Sequence, residues 1–217
     1  IYTYYIMVIL TKRRTKLRTK LRTKLRTKRR TKHRTKRRTK INFNDLFKNL
    51  SGFGFHNTNN DNVEANDLIV PTYGELTEPG YKTMIKNIKT NEYEFYDLGS
   101  GIGKVVFYSV FLSQFKKSSG VEIIEARAKQ AINAKQRALS PAYHHNNVKL
   151  KNRIANMSLT HGSMFKKSFF TNPKPCVYFL SSLCFNEKMK KKIANYFNTY
   201  RKNIKTHIFS SKPLDIT

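Results

Sequence analysis

Past Asp67 the chain switches between two hydrophobic periods. Short apolar runs at EFYDLG (94–99), SSGVEI (118–123), CVYFL (176–180) and THIFSS (206–211), with a weaker one at SLTH (158–161), have the length of strands. Between them lie longer segments with apolar residues three and four apart, the spacing of a helix face. In LTEPGYKTMIKNI, Thr77 is a candidate N-cap, Pro79 falls in the first turn, and Met84, Ile85 and Ile88 share a face. GKVVFYSVFLSQF predicts an apolar helix. EARAKQAINAKQRAL predicts an amphipathic one ending before Ser140-Pro141. NEKMKKKIANYFNTY puts Met189, Ile193 and Phe197 on one side. Strands alternating with helices indicate βαβ units and a parallel sheet. Such sheets bind ligands outside the carboxyl ends of their strands.

Upstream the pattern breaks down. Residues 41–65 are rich in Asn and Gly, and INFNDLF predicts a small helix followed by a loop. Residues 11–40 repeat TKxR seven times, with 8 Lys, 10 Arg and no acid, so they carry +18 of the chain's net +30. This segment has no hydrophobic period and is expected to be disordered in isolation. Two readings stay open: an arm that displaces counterions from nucleic acid, or a translated simple repeat that merely sticks to anions. The rest of the 217 residues carries 25 basic against 13 acidic side chains, which points to an anionic partner. IYTYYIMVIL is shorter than the ~20 residues that span a bilayer, and its positive charge follows the apolar run instead of preceding it as in a signal peptide. It reads as an apolar stub with no membrane role. Position 1 is Ile, as in a fragment. Cys176 and Cys184 read as buried thiols in a reducing compartment, and no Cys/His spacing suggests zinc. His144-His145 reads as a solvated pair, Lys190–Lys192 as a solvated helix face or a contact to DNA, and Phe169-Phe170 as core.

The chemistry concentrates in YDLGSGIGKVVF (96–107). Asp97 ends a strand, Gly99, Gly101 and Gly103 make a turn, and Lys104 opens a helix. G-x-G-x-G is neither the dinucleotide spacing nor a P-loop. An acid ahead of the turn would repel phosphate and suits a ligand with a cationic or hydroxylic group. Glu122 ends the next strand, where a carboxylate can accept both hydroxyls of a ribose. Together they predict a nucleoside carrying an amino acid, for which S-adenosylmethionine is the natural candidate.

Five stretches then occur in one order: YGELT (73–77), YDLGSGIGKVVF (96–107), GVEI (120–123), VYFLSSLCF (177–185) and IFSSKPL (208–214). Over about 67–214 the chain resembles the catalytic core of the Dot-type histone lysine methyltransferases, named for disruptor of telomeric silencing. YGEL is the most specific part. The resemblance implies an α/β, Rossmann-like class I S-adenosylmethionine-dependent methyltransferase fold in residues 67–217, after a 1–40 extension and a 41–66 linker. It implies a nuclear, monomeric enzyme that methylates lysine seventy-nine of histone three in nucleosomes and regulates chromatin and silencing. The charge of residues 11–40, outside the resemblance, adds the expectation that this segment holds DNA. It implies that Tyr73, Gly74, Glu75 and Thr77 close over the methionine end of the cofactor. Asp97, Gly99, Gly101 and Lys104 line its amino-acid end, Glu122 holds the ribose, and Ser163 and Met164 lie near the adenine. Ser181, Leu183 and Phe185 border the lysine channel, with Tyr73, Ser181 and Phe185 nearest the chemistry.

Three departures qualify the resemblance. Ser163-Met164 stands where the family has an acid–aromatic pair. Ser181–Phe185 reads SSLCF where the family has Asn-Asn-Phe-x-Phe. The sequence stops at Thr217, where the family core continues into an antiparallel pair of strands. Two other readings remain: a nucleic-acid methyltransferase, although SSLCF lacks the Asn/Asp-Pro-Pro-aromatic signature, and a chromatin-binding module with a decayed cofactor site.

Overall fold

A computed structural model of the chain describes residues 6–10, 42–53 and 74–216. Among the described residues six strands form one sheet, in the order β1-β6-β5-β2-β3-β4. They are β1 (Ile6–Leu10), β2 (Glu94–Leu98), β3 (Ser118–Glu122), β4 (Ser158–His161), β5 (Cys176–Leu180) and β6 (Thr206–Ser210). β2 to β6 run parallel, and β1 lies antiparallel on β6. The helices are α1 (Phe43–Leu46), α2 (Glu78–Ile85), α3 (Lys104–Leu112), α4 (Glu125–Ala138), α5 (Pro141–His144), α6 (Val148–Ala155) and α7 (Glu187–Tyr200). This is the parallel α/β sheet expected from the alternation of periods, in the Rossmann-like arrangement that the family resemblance implies.

Every residue of β2, β3 and β5 is buried, as interior parallel strands require. Alternate side chains enter opposite cores. Phe95, Val177, Phe179 and Phe209 join Phe43, Phe47, Tyr81 and Phe107 on one face. Tyr96, Leu98, Tyr178, Leu180 and Ile208 join Phe170, Ile193 and Phe197 on the other. β4 carries Ser, Thr and His and is the partly exposed edge. The chain runs outward from β2 through β3 to β4, then crosses back to β5 and β6. The strand order therefore reverses between β2 and β5, and their carboxyl ends open a crevice.

Three features depart from the sequence reading. Residues 6–10, read as a stub, form a strand on the edge of β6. The stretch between α4 and β4 holds two further helices. In α6, Leu150 and Ile154 are spaced as a helix face, but Lys and Asn outnumber them and hide the period. Asn147 caps it by accepting the N–H of Leu150 at 3.1 Å. His144 is buried rather than solvated, with its Nε2 3.1 Å from the Leu139 carbonyl, while His145 is exposed in the left-handed region. The expected core pair holds, with Phe170 fully buried and Phe169 packed beside it. Cys176 is a buried free thiol.

Beneath the sheet, at the amino ends of β5 and β6, Arg201 is fully enclosed. Its guanidinium donates to Thr206 Oγ1 at 3.1 Å, to the Lys174 carbonyl at 2.9 Å and to the Asn172 carbonyl. This pins the segment entering β5 to the segment entering β6, at the end of the sheet opposite the crevice. No helix among the described residues is long and apolar enough to cross a membrane.

Candidate functional site

The turn after β2 is shaped by backbone conformations that L side chains avoid. Gly99, Gly101 and Gly103 have φ of 93°, 54° and 86°, and Gly103 leads directly into α3. The N–H groups of Gly99 and Ser100 both donate to the Val121 carbonyl at 2.9 Å, which lays the turn across the end of β3. Gly120 makes this approach possible. A Cβ there would sit 2.8 Å from the Cβ and Oγ of Ser100 and from Val106 Cγ2. Sequence reasoning quoted GVEI for its glutamate and missed the glycine. Its signal is a residue with no side chain in the middle of a buried strand.

Two carboxylates frame the turn. Asp97 is 1 % exposed, and its Oδ1 finds no hydrogen-bond partner among the described residues. Burial, and secondly the charge of Glu122, push its carboxyl well above the ordinary range. Glu122 is also buried. Its Oε2 accepts the Gly101 N–H at 2.7 Å and its Oε1 the Ile124 N–H at 2.9 Å. Glu122 therefore organises the glycine turn, and each oxygen keeps a second lone pair for a ligand hydroxyl.

The remaining expected residues fall into two contacts across the crevice. The Cβ direction of Gly74 meets Ser181 Oγ at 3.9 Å and Leu183 Cδ1 at 4.0 Å, so YGEL faces the loop after β5. The Cβ direction of Gly99 meets Met164 Cε at 3.7 Å and Phe185 Cζ at 4.0 Å, so the loops after β4 and β5 both reach the turn. Glu75 and Lys104, expected to serve the same ligand, form an ion pair with each other. They help line a cavity of about 500 Å³ together with Asn42, Asn44, Glu78 and Tyr108. Thr77 Oγ1 accepts the Gly80 N–H at 3.3 Å and caps α2, so its hydroxyl already serves the helix. Ser163 is exposed, and its Oγ accepts the Phe165 N–H at 3.2 Å. Tyr73 lies outside the described residues. Ser182, not singled out in the sequence, is fully buried. It meets Ser210 Oγ at 2.6 Å and accepts the Lys212 N–H at 2.8 Å, clipping the loop after β5 to the loop after β6.

The donor set fits a cationic amino-acid ligand with a hydroxylated sugar. A buried carboxylate oxygen without a partner wants a positive donor. A second carboxylate has acceptor capacity left, and an adjacent ammonium–carboxylate pair matches a zwitterion. Among the described residues no group of three or more His, Cys, Asp or Glu could hold a metal.

The family described as "Histone methylation protein DOT1" matches residues 67–217. Comparison with curated proteins gives no match. Among solved structures, the chain is similar to an RNA methyltransferase from Salinibacter ruber in complex with S-adenosyl-L-homocysteine. That likeness has 18% identity, covers 58% of this chain and 71% of that one, and has a TM-score of 0.43. It is also similar to a putative S-adenosyl-L-methionine-dependent methyltransferase from Methanococcus maripaludis. There the identity is 13%, the coverage is 64% of this chain and 66% of that one, and the TM-score is 0.35. Likenesses at these scores bear on neither substrate nor mechanism.

Proposed function

The chain belongs to the DOT1 histone methylation protein family, and from that premise we propose that it methylates lysine seventy-nine on the core face of histone three in nucleosomes, in the nucleus. As a member of the family it is an S-adenosylmethionine-dependent methyltransferase. The observation that carries the substrate is the family match over residues 67–217, which takes in the crevice and every loop around it. Residues 67–217 are the catalytic unit in this reading, and residues 11–40 hold DNA.

The bound cofactor supplies a methyl group on a sulfonium, ready for in-line displacement by a neutral amine. The protein's part is alignment and exclusion of water. Asp97 Oδ1 would accept a hydrogen bond from the ligand's ammonium. Lys104 would hold the ligand's carboxylate, and Glu75 would add a second acceptor for its ammonium. The free lone pairs of Glu122 receive the ribose hydroxyls, and Gly99 and Gly101 let the backbone approach closely. Ser163 and Met164 lie beside the adenine, and Gly74 and Tyr73 close the methionine end. Thr77 supports that closure by capping α2 rather than by contact. Ser181, Leu183 and Phe185 wall the lysine channel. An apolar, aromatic wall strips water from the incoming amine and favours a developing cation. Solvent takes the lysine's proton before entry, so no side chain is assigned as base.

The test is transfer of radiolabelled methyl to nucleosomes, free histone three and transfer RNA in parallel. Label on histone three within nucleosomes, abolished when its lysine seventy-nine is replaced by arginine, is the expected result. Label on RNA alone overturns the reading.

A further inference from the structure

Helix α7 breaks an electrostatic rule beside the channel. A helix amino terminus carries roughly half a positive charge, which acids complement and lysines oppose. The first two turns of α7 hold Lys188, Lys190, Lys191 and Lys192 against the single acid Glu187, while its last turn has no basic residue. The charge is thus placed at the wrong end for stability. The helix begins two residues beyond Phe185, with Asn186 between them as its cap.

The four lysines are not equivalent. Lys190 is largely covered and pairs with Glu187 at 2.5 Å. Lys192 places Nζ 4.5 Å from the centre of the Phe165 ring. Lys188 and Lys191 are exposed. Lys212 joins them from the loop after β6, its N–H held by Ser182 Oγ at 2.8 Å. Its charge reaches Glu187, which the Lys190 hydrogen bond and the charges of Lys190, Lys212 and Lys191 hold below the ordinary carboxylate range, burial opposing them. The loop that leads into α7 carries an apolar tip, Leu183, which is 48% exposed.

We propose that Lys188, Lys191 and Lys212 form a docking collar for the phosphate backbone of duplex DNA, setting the channel mouth against DNA-wrapped substrate. The chemistry favours this occupant. The collar is all lysine, a point charge suited to a diffuse row of phosphates, with no arginine fork for bidentate carboxylate recognition. An aliphatic tip offers no platform for stacking unpaired bases. A cationic helix start that weakens the fold is accounted for by an anion that arrives from outside. The inference deepens the histone reading and takes its meaning from it, but duplex binding is measured without methyl transfer, so the two fail separately.

The experiment uses the full chain and a mixed-sequence duplex of about thirty base pairs, with binding read by fluorescence anisotropy across a salt series. The triple change Lys188→Gln, Lys191→Gln, Lys212→Gln should weaken binding about tenfold and lower the log–log salt slope by about two to three. A photo-crosslinking phenylalanine analogue at position 191 should attach to DNA in nucleosomes, whereas one at the exposed position 199, on the far end of the same helix, should not. Nucleosome KM should rise about tenfold with kcat unchanged, and methylation of histone free of DNA should keep both parameters. An unchanged salt slope, a crosslink from position 191 to histone, or a selective loss of poly-glutamate binding overturns the proposal. Equal losses on nucleosomes and free histone overturn it too, by reducing the lysines to structural parts of α7.

Discussion

Replacing Asp97 with Asn asks whether the buried carboxylate serves a ligand or the fold. Oδ1 is enclosed and without a partner, and burial followed by Glu122 raises the carboxyl's pKa. Below an unfolded pKa of about 3.9 both folded and unfolded chains hold the proton, and Asp97 adds no pH dependence. Above it the unfolded chain releases the proton while the folded chain retains it. The folded state then binds more protons, so stability falls as pH rises, until the raised folded pKa is passed. Asp97→Asn removes this titration. The variant should match the parent near pH 4 and exceed it near pH 8, with a higher Tm there, because the folded carboxyl's pKa is raised. Ligand binding moves the other way. Losing one charge-assisted hydrogen bond costs about 1.5–3 kcal/mol, so S-adenosylmethionine affinity should fall about 10- to 150-fold. Thermal unfolding at the two pH values and calorimetric titration with the cofactor read both effects. A Tm that drops equally at both pH values, with affinity intact, would make Asp97 a structural part of the turn and refute the reasoning.

Other outcomes follow from the same geometry. Gly120→Ala places a methyl 2.8 Å from Ser100 and Val106. It should cost about 1–3 kcal/mol in chemical denaturation and displace the glycine turn, with a loss of cofactor affinity measurable in the still-folded fraction. Arg201→Met leaves one buried and two partly buried acceptors without their donor. It should cost about 3 kcal/mol or more by the same denaturation assay, while cofactor affinity per folded molecule stays unchanged because the cluster lies at the opposite end of the sheet. Deleting residues 11–40 removes 18 basic side chains. Nucleosome binding should weaken, and its salt slope should fall by several units; an unchanged slope in the binding titration would make the repeat a bystander.

The periods of hydrophobicity alone were enough for the five parallel strands and the major helices, because buried strands and amphipathic helices carry their burial pattern in local order. The ligand class was legible for a similar reason: Asp97, the alternate glycines and the strand-ending Glu122 are a local grammar of one turn and its neighbour. Side-chain allegiance was not legible. Thr77 caps a helix, Glu122 braces the turn from within, and Glu75 pairs with Lys104, because each backbone N–H or charge takes the nearest partner the fold supplies. The place of Ile6–Leu10 on β6 is a pairing between residues about two hundred positions apart, for which no local signal exists. Gly120 and Ser182 matter only because two loops and a strand converge on them. The sequence by itself determined the fold class and the chemistry of the crevice. Tertiary structure decided which of the polar groups there remain available to a ligand, since availability is what is left after long-range packing has satisfied every donor and acceptor it can reach.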